Sequence, residues 1–263
     1  MSLTRKRIRE IRSLAQKKAR DELGLFVAEG LRLVTDAAGS TFGIPEAFST
    51  RDFDSSGPGG SLIGLLRSRG TRCQQVTPGE LAAIADTVNS QGVLALVQKR
   101  VESADELIAH NRPPAVLVAL DGISDPGNLG SIIRTCDWFG AGGILLGRES
   151  VDLYNPKVVR ATMGGIFHLP VVTGLDLPRS AARAKEHGYT LYVTEPRAEL
   201  DYSDVRFPER TLVAFGNEAH GVSEELRRMA DARVAIRRYG RAESLNVGVA
   251  CGILLSFHRR LYA

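Results

Sequence analysis

The chain has 263 residues, 43% of them apolar and 24% charged, with a formal net charge of +4. That is more apolar material than a disordered chain carries and enough for two cores. No apolar run reaches the roughly 20 residues of a membrane-spanning helix, and the charged first segment does not read as a signal peptide, so a cytoplasmic protein with no membrane partner is expected.

The distribution of charge says more than the total. Residues 1–20 hold eight Lys or Arg against the single acid Glu10, and residues 227–241 hold six Arg against Asp231. Two such patches suit a polyanion that touches particular faces, although a solvated helix face explains the charge equally well. Within the first patch Ile8, Ile11, Leu14 and Ala15 recur at helical spacing, which predicts one amphipathic helix with a cationic outer face. A strand over 24–28 and a helix over 31–38 follow. Residues 49–60, rich in Ser, Gly and Pro, are expected to form a loop. Helix 62–69, strand 73–76, helix 78–85 and strand 93–97 complete a small α/β unit. Residues 98–114 turn polar, with a helical piece over 104–109 and then Pro113 and Pro114, which cannot continue a helix. A linker over 107–114 is therefore expected between a domain of residues 1–106 and one of residues 115–263.

The second half alternates regularly. Strands are predicted over 115–120, 143–146, 169–172, 189–194, 211–215 and 233–236, and helices over 129–139, 156–163, 177–187, 223–230 and 245–261. Such alternation with apolar strands specifies an α/β fold, a parallel sheet with helices on both faces. Ligands of such sheets bind beyond the carboxyl ends of the strands, so the chemistry is expected in the loops 121–130, 194–197, 216–221 and 237–246. No G-x-G-x-x-G, GK[ST], HExxH or GxSxG is present, which removes support for a dehydrogenase, an NTPase, a zinc hydrolase or an α/β-hydrolase. Cys73, Cys136 and Cys251 stand far apart without a CxxC pair or a neighbouring His. They read as small buried apolar residues, and no metal is expected.

Three of those loops carry a recognisable pattern. The first runs from Asp121 through Asp125-Pro126-Gly127-Asn128 to Arg134. The second is Phe215-Gly216-Asn217-Glu218-Ala219-His220-Gly221, and the third joins Ile236 to Glu243-Ser244-Leu245-Asn246-Val247. In this order and at these strand ends they resemble the three motifs of the SpoU/TrmH group of ribose 2'-O-methyltransferases, within the SPOUT superfamily. The stretch from Asn155 to Thr162, with Gly165 and His168-Leu169-Pro170, looks like the group's segment between its first two motifs. The N-terminal half, with its basic helix and Phe26-Val27-Ala28-Glu29-Gly30, is similar to the group's L30e-like RNA-binding domain. The resemblance implies a deep trefoil knot in the C-terminal sheet, a homodimer, S-adenosylmethionine as cofactor and a structured RNA as substrate, ribosomal RNA favoured over transfer RNA. One departure stands out: the group usually follows the isoleucine of the last motif with proline and methionine, whereas this chain has Arg237 and Arg238.

By the same resemblance Gly216, Ile236 and Leu245, with Thr194 at a neighbouring strand end, would hold the cofactor, largely through main-chain groups. Arg134 matches the catalytic arginine. Its guanidinium stays protonated at ordinary pH, so it suits stabilising an alkoxide and a phosphate rather than accepting a proton. Asn128, Glu218, Ser244 and Asn246 complete the expected catalytic set. Plainer roles exist for each: Arg134 paired with Asp137 or Asp125, Asn128 or Ser244 as a helix cap, Gly216 as a turn glycine, His220 as a structural loop residue. The rival reading of the whole chain is an RNA-binding protein that has kept the fold and lost the chemistry.

Overall fold

The computed structural model describes residues 2–87 and 90–262; Met1 and Ala263, the outer ends of the expected domains, lie outside the described residues. The elements run α1 (Arg5–Ser13), α2 (Lys17–Leu23), β1 (Leu25–Glu29), α3 (Leu31–Gly39), β2 (Glu46–Thr50), α4 (Arg51–Ser55), α5 (Gly57–Ser68), β3 (Arg72–Val76), α6 (Pro78–Ile84), β4 (Val93–Gln98) and α7 (Ala104–His110). They continue with β5 (Ala115–Asp121), α8 (Pro126–Trp138), β6 (Gly143–Gly147), α9 (Pro156–Ala161), β7 (Val171–Leu175), α10 (Leu177–Glu186), β8 (Thr190–Thr194), β9 (Leu200–Asp201), β10 (Arg210–Gly216), α11 (Glu224–Met229), β11 (Ala232–Ala235) and α12 (Val247–Leu261). Contacts divide the chain into two units. One comprises the chain up to Arg100 together with Asp152–Phe167; the other comprises Val101–Val151 and the chain from His168 onward.

The first unit is built on a mixed sheet in the order β1-β4-β2-β3, with β2 and β3 parallel and the other pairs antiparallel. Ile11 and Leu14 pack with Phe48, Leu94, Leu96, Leu81 and Ile84, so the apolar stripe of the first segment does face a core. That segment is two helices rather than one. Chain direction changes at Leu14 to Gln16, where the carbonyls of Leu14 and Ala15 accept from Arg20 Nη1 at 2.7 and 2.8 Å. Arg20 therefore belongs to the interior, not to the cationic face, and its guanidinium pairs with Asp152 at 2.6 Å. Arg5, Lys6, Arg9 and Arg12 remain exposed and make no ion pair among the described residues. The segment from Asp152 to Phe167 contributes Tyr154, 4.6 Å from the Phe26 ring, and Phe167, 5.3 Å from the Phe42 ring, which ties it to this unit.

Residues 49–60 are not a loop. Thr50 caps α4 by accepting from the Phe53 amide, Ser56 caps α5 by accepting from the Gly59 amide, and Pro58 sits in the first turn of α5. Proline is at home in a first helical turn, and Ser and Thr are strong caps, so the composition that suggested a loop marks two helix starts. Phe53 is buried and anchors the pair. A Cβ on Gly59 would meet the Phe53 carbonyl oxygen at 1.9 Å, so this glycine permits a close crossing rather than a flexible turn. Strand β2 was also missed by periodicity, because four of its five residues are buried and nothing alternates.

In the second unit seven strands run in the order β7-β6-β5-β10-β8-β11-β9, every pair parallel. The α/β class and the smaller N-terminal α/β unit are as expected. Strand β5 is buried along six consecutive residues, the pattern of a strand covered on both faces. Leu117, Ala119, Leu191, Val193 and Leu212 pack with Leu177, Ala181 and Ala184 of α10 and Leu226 of α11. Helices α8 and α12 pack against each other along small residues: a Cβ on Gly248 would lie 3.5 Å from that of Ser131, and one on Gly252 would lie 3.6 Å from Thr135 Cγ2. Cys136 and Cys251 are buried in this seam, and burial pushes the Cys136 thiol well above its usual range, as expected of inert apolar cysteines. Cys73 is only half-buried.

His258 on α12 is buried near Phe207 and Tyr262. Burial, with Arg259 beside it, lowers its pKa from 6.5 to about 4. Between those values the unfolded chain binds a proton that the folded chain refuses, so stability is full above pH 6.5 and falls as pH drops through the window, by about 1.4 kcal/mol per unit for this group. In urea titrations, the stability gap between wild type and His258→Leu should shift by about 2 kcal/mol in favour of the variant between pH 7 and pH 5. A gap that does not change with pH would show that His258 is not held neutral.

Candidate active site

The first strand of the second unit, β5, lies beside β10; the chain leaves β5 for β6 and β7 on one side, and leaves β10, inserted after β8 and β9 are in place, for β11 on the other. Such a switch point opens a crevice at the carboxyl ends of the two strands, because the following connections leave to opposite sides. Both loops there are tied down. Asn217 Nδ2 donates to the Gly122 carbonyl at 2.8 Å, and Asp121 Oδ2 accepts from the Ser223 amide at 2.8 Å. The turn after β10 is closed by reciprocal backbone bonds between Asn217 and Gly221, and Asn217 Oδ1 accepts from the amides of Ala219 and His220. His220 packs back on the same Asn217, the structural role weighed for it. A Cβ on Gly216 would meet the Gly221 carbonyl carbon at 2.1 Å. Glycine at 216 is thus required by the turn closing on itself, not only by the approach of a ligand.

Helix α8 starts one turn earlier than predicted. Asp125 is its cap, accepting from the Asn128 amide at 2.8 Å, and Pro126 fills the first turn. Asn128 is therefore not the cap, which frees its side chain. Its Nδ2 donates to Glu218 Oε1 at 2.6 Å, and its Oδ1 accepts from Asn246 Nδ2 at 2.8 Å. One amide thus joins the loops after β5, β10 and β11. Asn246 is itself the cap of α12, accepting from the amides of Gly248 and Val249 at 2.9 and 3.3 Å. Ser244, expected as that cap, lies outside the helix and is exposed.

Arg134 lies six residues beyond Asn128 on α8 and is exposed. It makes no hydrogen bond or ion pair among the described residues. Asp125 is occupied as the cap, and Asp137 Oδ2 holds His168 at 3.1 Å, so the pairing proposed as its plainer role is not formed. Thr194 Oγ1 donates to the Ala214 carbonyl at 3.0 Å, tying the end of β8 to β10. Ile236 and Leu245 flank the last loop, and Leu245 is 50% exposed. The structure therefore brings Asn128, Glu218 and Asn246 together, sets Thr194, Gly216, Ile236 and Leu245 on the adjoining strand ends and loops, and leaves Arg134 and Ser244 without partners in the cluster.

Asp201 was missed. It ends the two-residue edge strand β9, accepts from the Arg237 amide at 3.1 Å and so pins the start of the last loop. Bonds from the Ser203 hydroxyl and amide hold its carboxyl below the usual range. The sequence signal was the Asp-x-Ser turn at 201–203, a common side-chain turn pattern.

The family model described as the SpoU rRNA Methylase family matches residues 115–256. The chain belongs to the SpoU rRNA methylase family. An MRM3-like substrate binding domain matches residues 5–95. The chain is 30% identical to the 23S rRNA (guanosine(2553)-2'-O)-methyltransferase RlmP of Bacillus subtilis, over 98% of each chain. Among solved structures it resembles an AdoMet-bound rRNA methyltransferase from Sinorhizobium meliloti, with TM-score 0.88 and 32% identity over 99% of this chain and 97% of the other. It also resembles the SpoU methyltransferase AviRb from Streptomyces viridochromogenes in complex with AdoMet, with TM-score 0.85 and 27% identity over 98% of each chain. The residues matched to the SpoU family include all three joined loops.

A carboxylate at 128 could not donate to Glu218, and repulsion between touching charges, several kcal/mol where partly shielded from water, exceeds the roughly 0.3–1 kcal/mol that a helix N-terminus returns to an acid. Asn128→Asp should therefore melt below Asn128→Ala, itself about 1 kcal/mol less stable than wild type. The reverse order in thermal unfolding at pH 7 and low salt would exclude the Asn128–Glu218 bond.

Proposed function

We propose that the chain methylates a ribose 2'-hydroxyl in ribosomal RNA with S-adenosylmethionine as donor. The observation that carries this reading is the join of three motif loops through Asn128, on a helix that also bears an unpaired arginine. Ribosomal RNA is favoured over transfer RNA because the Bacillus subtilis and Sinorhizobium meliloti relatives, each matched across both units, are named as ribosomal RNA enzymes. In this reading residues before the polar 107–114 segment bind the substrate and residues after it carry the catalysis, a division that the family matches over 5–95 and 115–256 support.

The strand ends suit an adenosyl group. Partly open aliphatic side chains, Ile236 and Leu245, stand beside backbone amides and carbonyls, a donor set fit for a neutral purine nucleoside. No group of three or more His, Cys, Asp or Glu is placed to hold a metal among the described residues. When bound, the cofactor supplies a methyl group on a sulfonium sulfur. To use it, the residues of the site would have to align a ribose 2'-oxygen with that methyl group and stabilise the charge developing on the oxygen. Gly216, Ile236, Leu245 and Thr194 hold the donor side through a turn that Asn217 and Gly221 keep rigid. Asn128, Glu218 and Asn246 fix the three loops relative to one another, with Ser244 at the rim. Arg134, permanently charged, binds the target's phosphate and 2'-oxygen. The exposed cations of α1, Arg5, Lys6, Arg9 and Arg12, give the N-terminal unit a polyanion-facing surface.

The same reading includes a cytoplasmic homodimer and a deep trefoil knot near the carboxyl end of the parallel sheet. For the dimer the support is Trp138, 84% exposed on α8, with Val249 half exposed on α12. A large bare aromatic on paired helices suits a second copy of the chain. Trp138→Glu should shift the sedimentation coefficient from that of a dimer to that of a monomer; a wild-type monomer at micromolar concentration would refute the dimer.

Arg134→Ala should lower methyl transfer from labelled S-adenosylmethionine by at least 100-fold, the scale of losing a transition-state charge partner, while calorimetry finds cofactor affinity unchanged. Wild-type turnover in the variant would remove Arg134 from the chemistry. A wild-type chain that binds ribosomal RNA but transfers no methyl group would leave the non-catalytic reading.

A further inference from the structure

The loop between β11 and α12 departs from the family pattern where Arg237 and Arg238 stand, and the structure shows what this segment presents. Its two ends are pinned. At the start the Arg237 amide donates to Asp201, with the guanidinium Nε 3.9 Å from the same carboxylate. At the finish Asn246 caps α12 and bonds to Asn128. Between these anchors Tyr239 is 90% exposed, and its ring and hydroxyl touch no partner among the described residues. Arg238 and Arg241 flank it, both exposed; Arg238 reaches only the Ala242 carbonyl at 3.4 Å, and Arg241 has no partner among the described residues.

An aromatic ring held out in water forgoes the burial that normally retains it, which makes its surroundings the informative feature. Here the surroundings are cations. A protein partner would have to bury several like charges beside the ring, and the cores of protein interfaces are depleted of charge. An unpaired nucleotide needs what is present: a π-face for the base and guanidiniums for the phosphates on either side. The loop leads directly into Ser244, Leu245 and Asn246, so whatever it holds lies at the rim of the site described above.

We propose that Tyr239 is a stacking platform for an unpaired nucleotide flanking the target ribose, with Arg238 and Arg241 on that nucleotide's phosphates. This rests on the reading of the chain as an RNA methyltransferase. Stacking on a ring accepts any base, so the contact sets the register of the strand rather than its sequence. Its energy is present before and during methyl transfer alike, so it acts on KM and not on kcat.

The test uses the full chain and ribosomal RNA isolated from a strain lacking the gene. Tyr239→Ala should raise KM for that RNA on the order of 10-fold, with kcat and S-adenosylmethionine affinity unchanged, and Tyr239→Phe should restore the wild-type KM because the ring alone stacks. Replacing Arg238 and Arg241 by Ala should reduce the slope of log affinity against log salt by about 0.7 for each cation removed. The proposal is overturned if Tyr239→Ala keeps the wild-type KM, if Tyr239→Phe is as impaired as Tyr239→Ala, or if the loss follows cofactor affinity. A wild-type chain that binds this RNA without methylating it overturns the enzymatic reading alone, and Tyr239 is then judged by the same variants in binding titrations. A wild-type chain that neither binds nor methylates it overturns both.

Discussion

A single carboxamide, that of Asn128, joins three loops of the second unit. Asn128 gives a hydrogen to Glu218 and takes one from Asn246 at the same time, which its neutral amide does through two different atoms, Nδ2 and Oδ1. Its partners come from loops 90 and 118 residues away in sequence. The bond pair therefore converts three separately folded strand ends into one rim. The sheet makes this possible: β5 and β10 are neighbours, so the loops that follow them start side by side. Without that adjacency Asn128 would be an ordinary first-turn residue.

In the proposed function, holding and chemistry fall to different kinds of group. The strand ends offer backbone and aliphatic surface, shaped by a turn that tolerates no side chain at Gly216 because its own backbone occupies the space. In the proposed function the exposed charge of Arg134 is what meets RNA. The acids near Arg134 are committed elsewhere, Asp125 to a helix start and Asp137 to His168, which leaves the guanidinium free. An arginine already paired with a carboxylate would have to exchange it for a phosphate and gain correspondingly less. The same logic separates Arg20, neutralised in the interior by Asp152, from its exposed neighbours on α1.

Where the structure departs from the sequence reading, the departures have a common origin. Residues 49–60 have loop composition, yet Pro58, Thr50 and Ser56 serve as helix starts because Phe53 has a core to enter. Asn128 and Ser244 are both good caps by type, but Asp125 and Asn246 hold those positions. Local preference names residues that are able to cap; it does not choose among several within four positions. Strands β2 and β9 escaped notice for opposite reasons, the first too uniformly buried to alternate and the second only two residues long.

Sequence alone determined the parallel α/β class, the strand-end loops that the structure joins and the residue types gathered there, because burial period and turn residues are written locally. It also located the basic first segment and the departure at Arg237 and Arg238. Only the tertiary structure decided that Asn128 is a bridge, that Arg134 is unpaired, that Arg20 is interior and that Tyr239 stands free. Each of those is a question of which distant groups compete for one hydrogen bond or one charge, and that competition exists only once the strands are side by side.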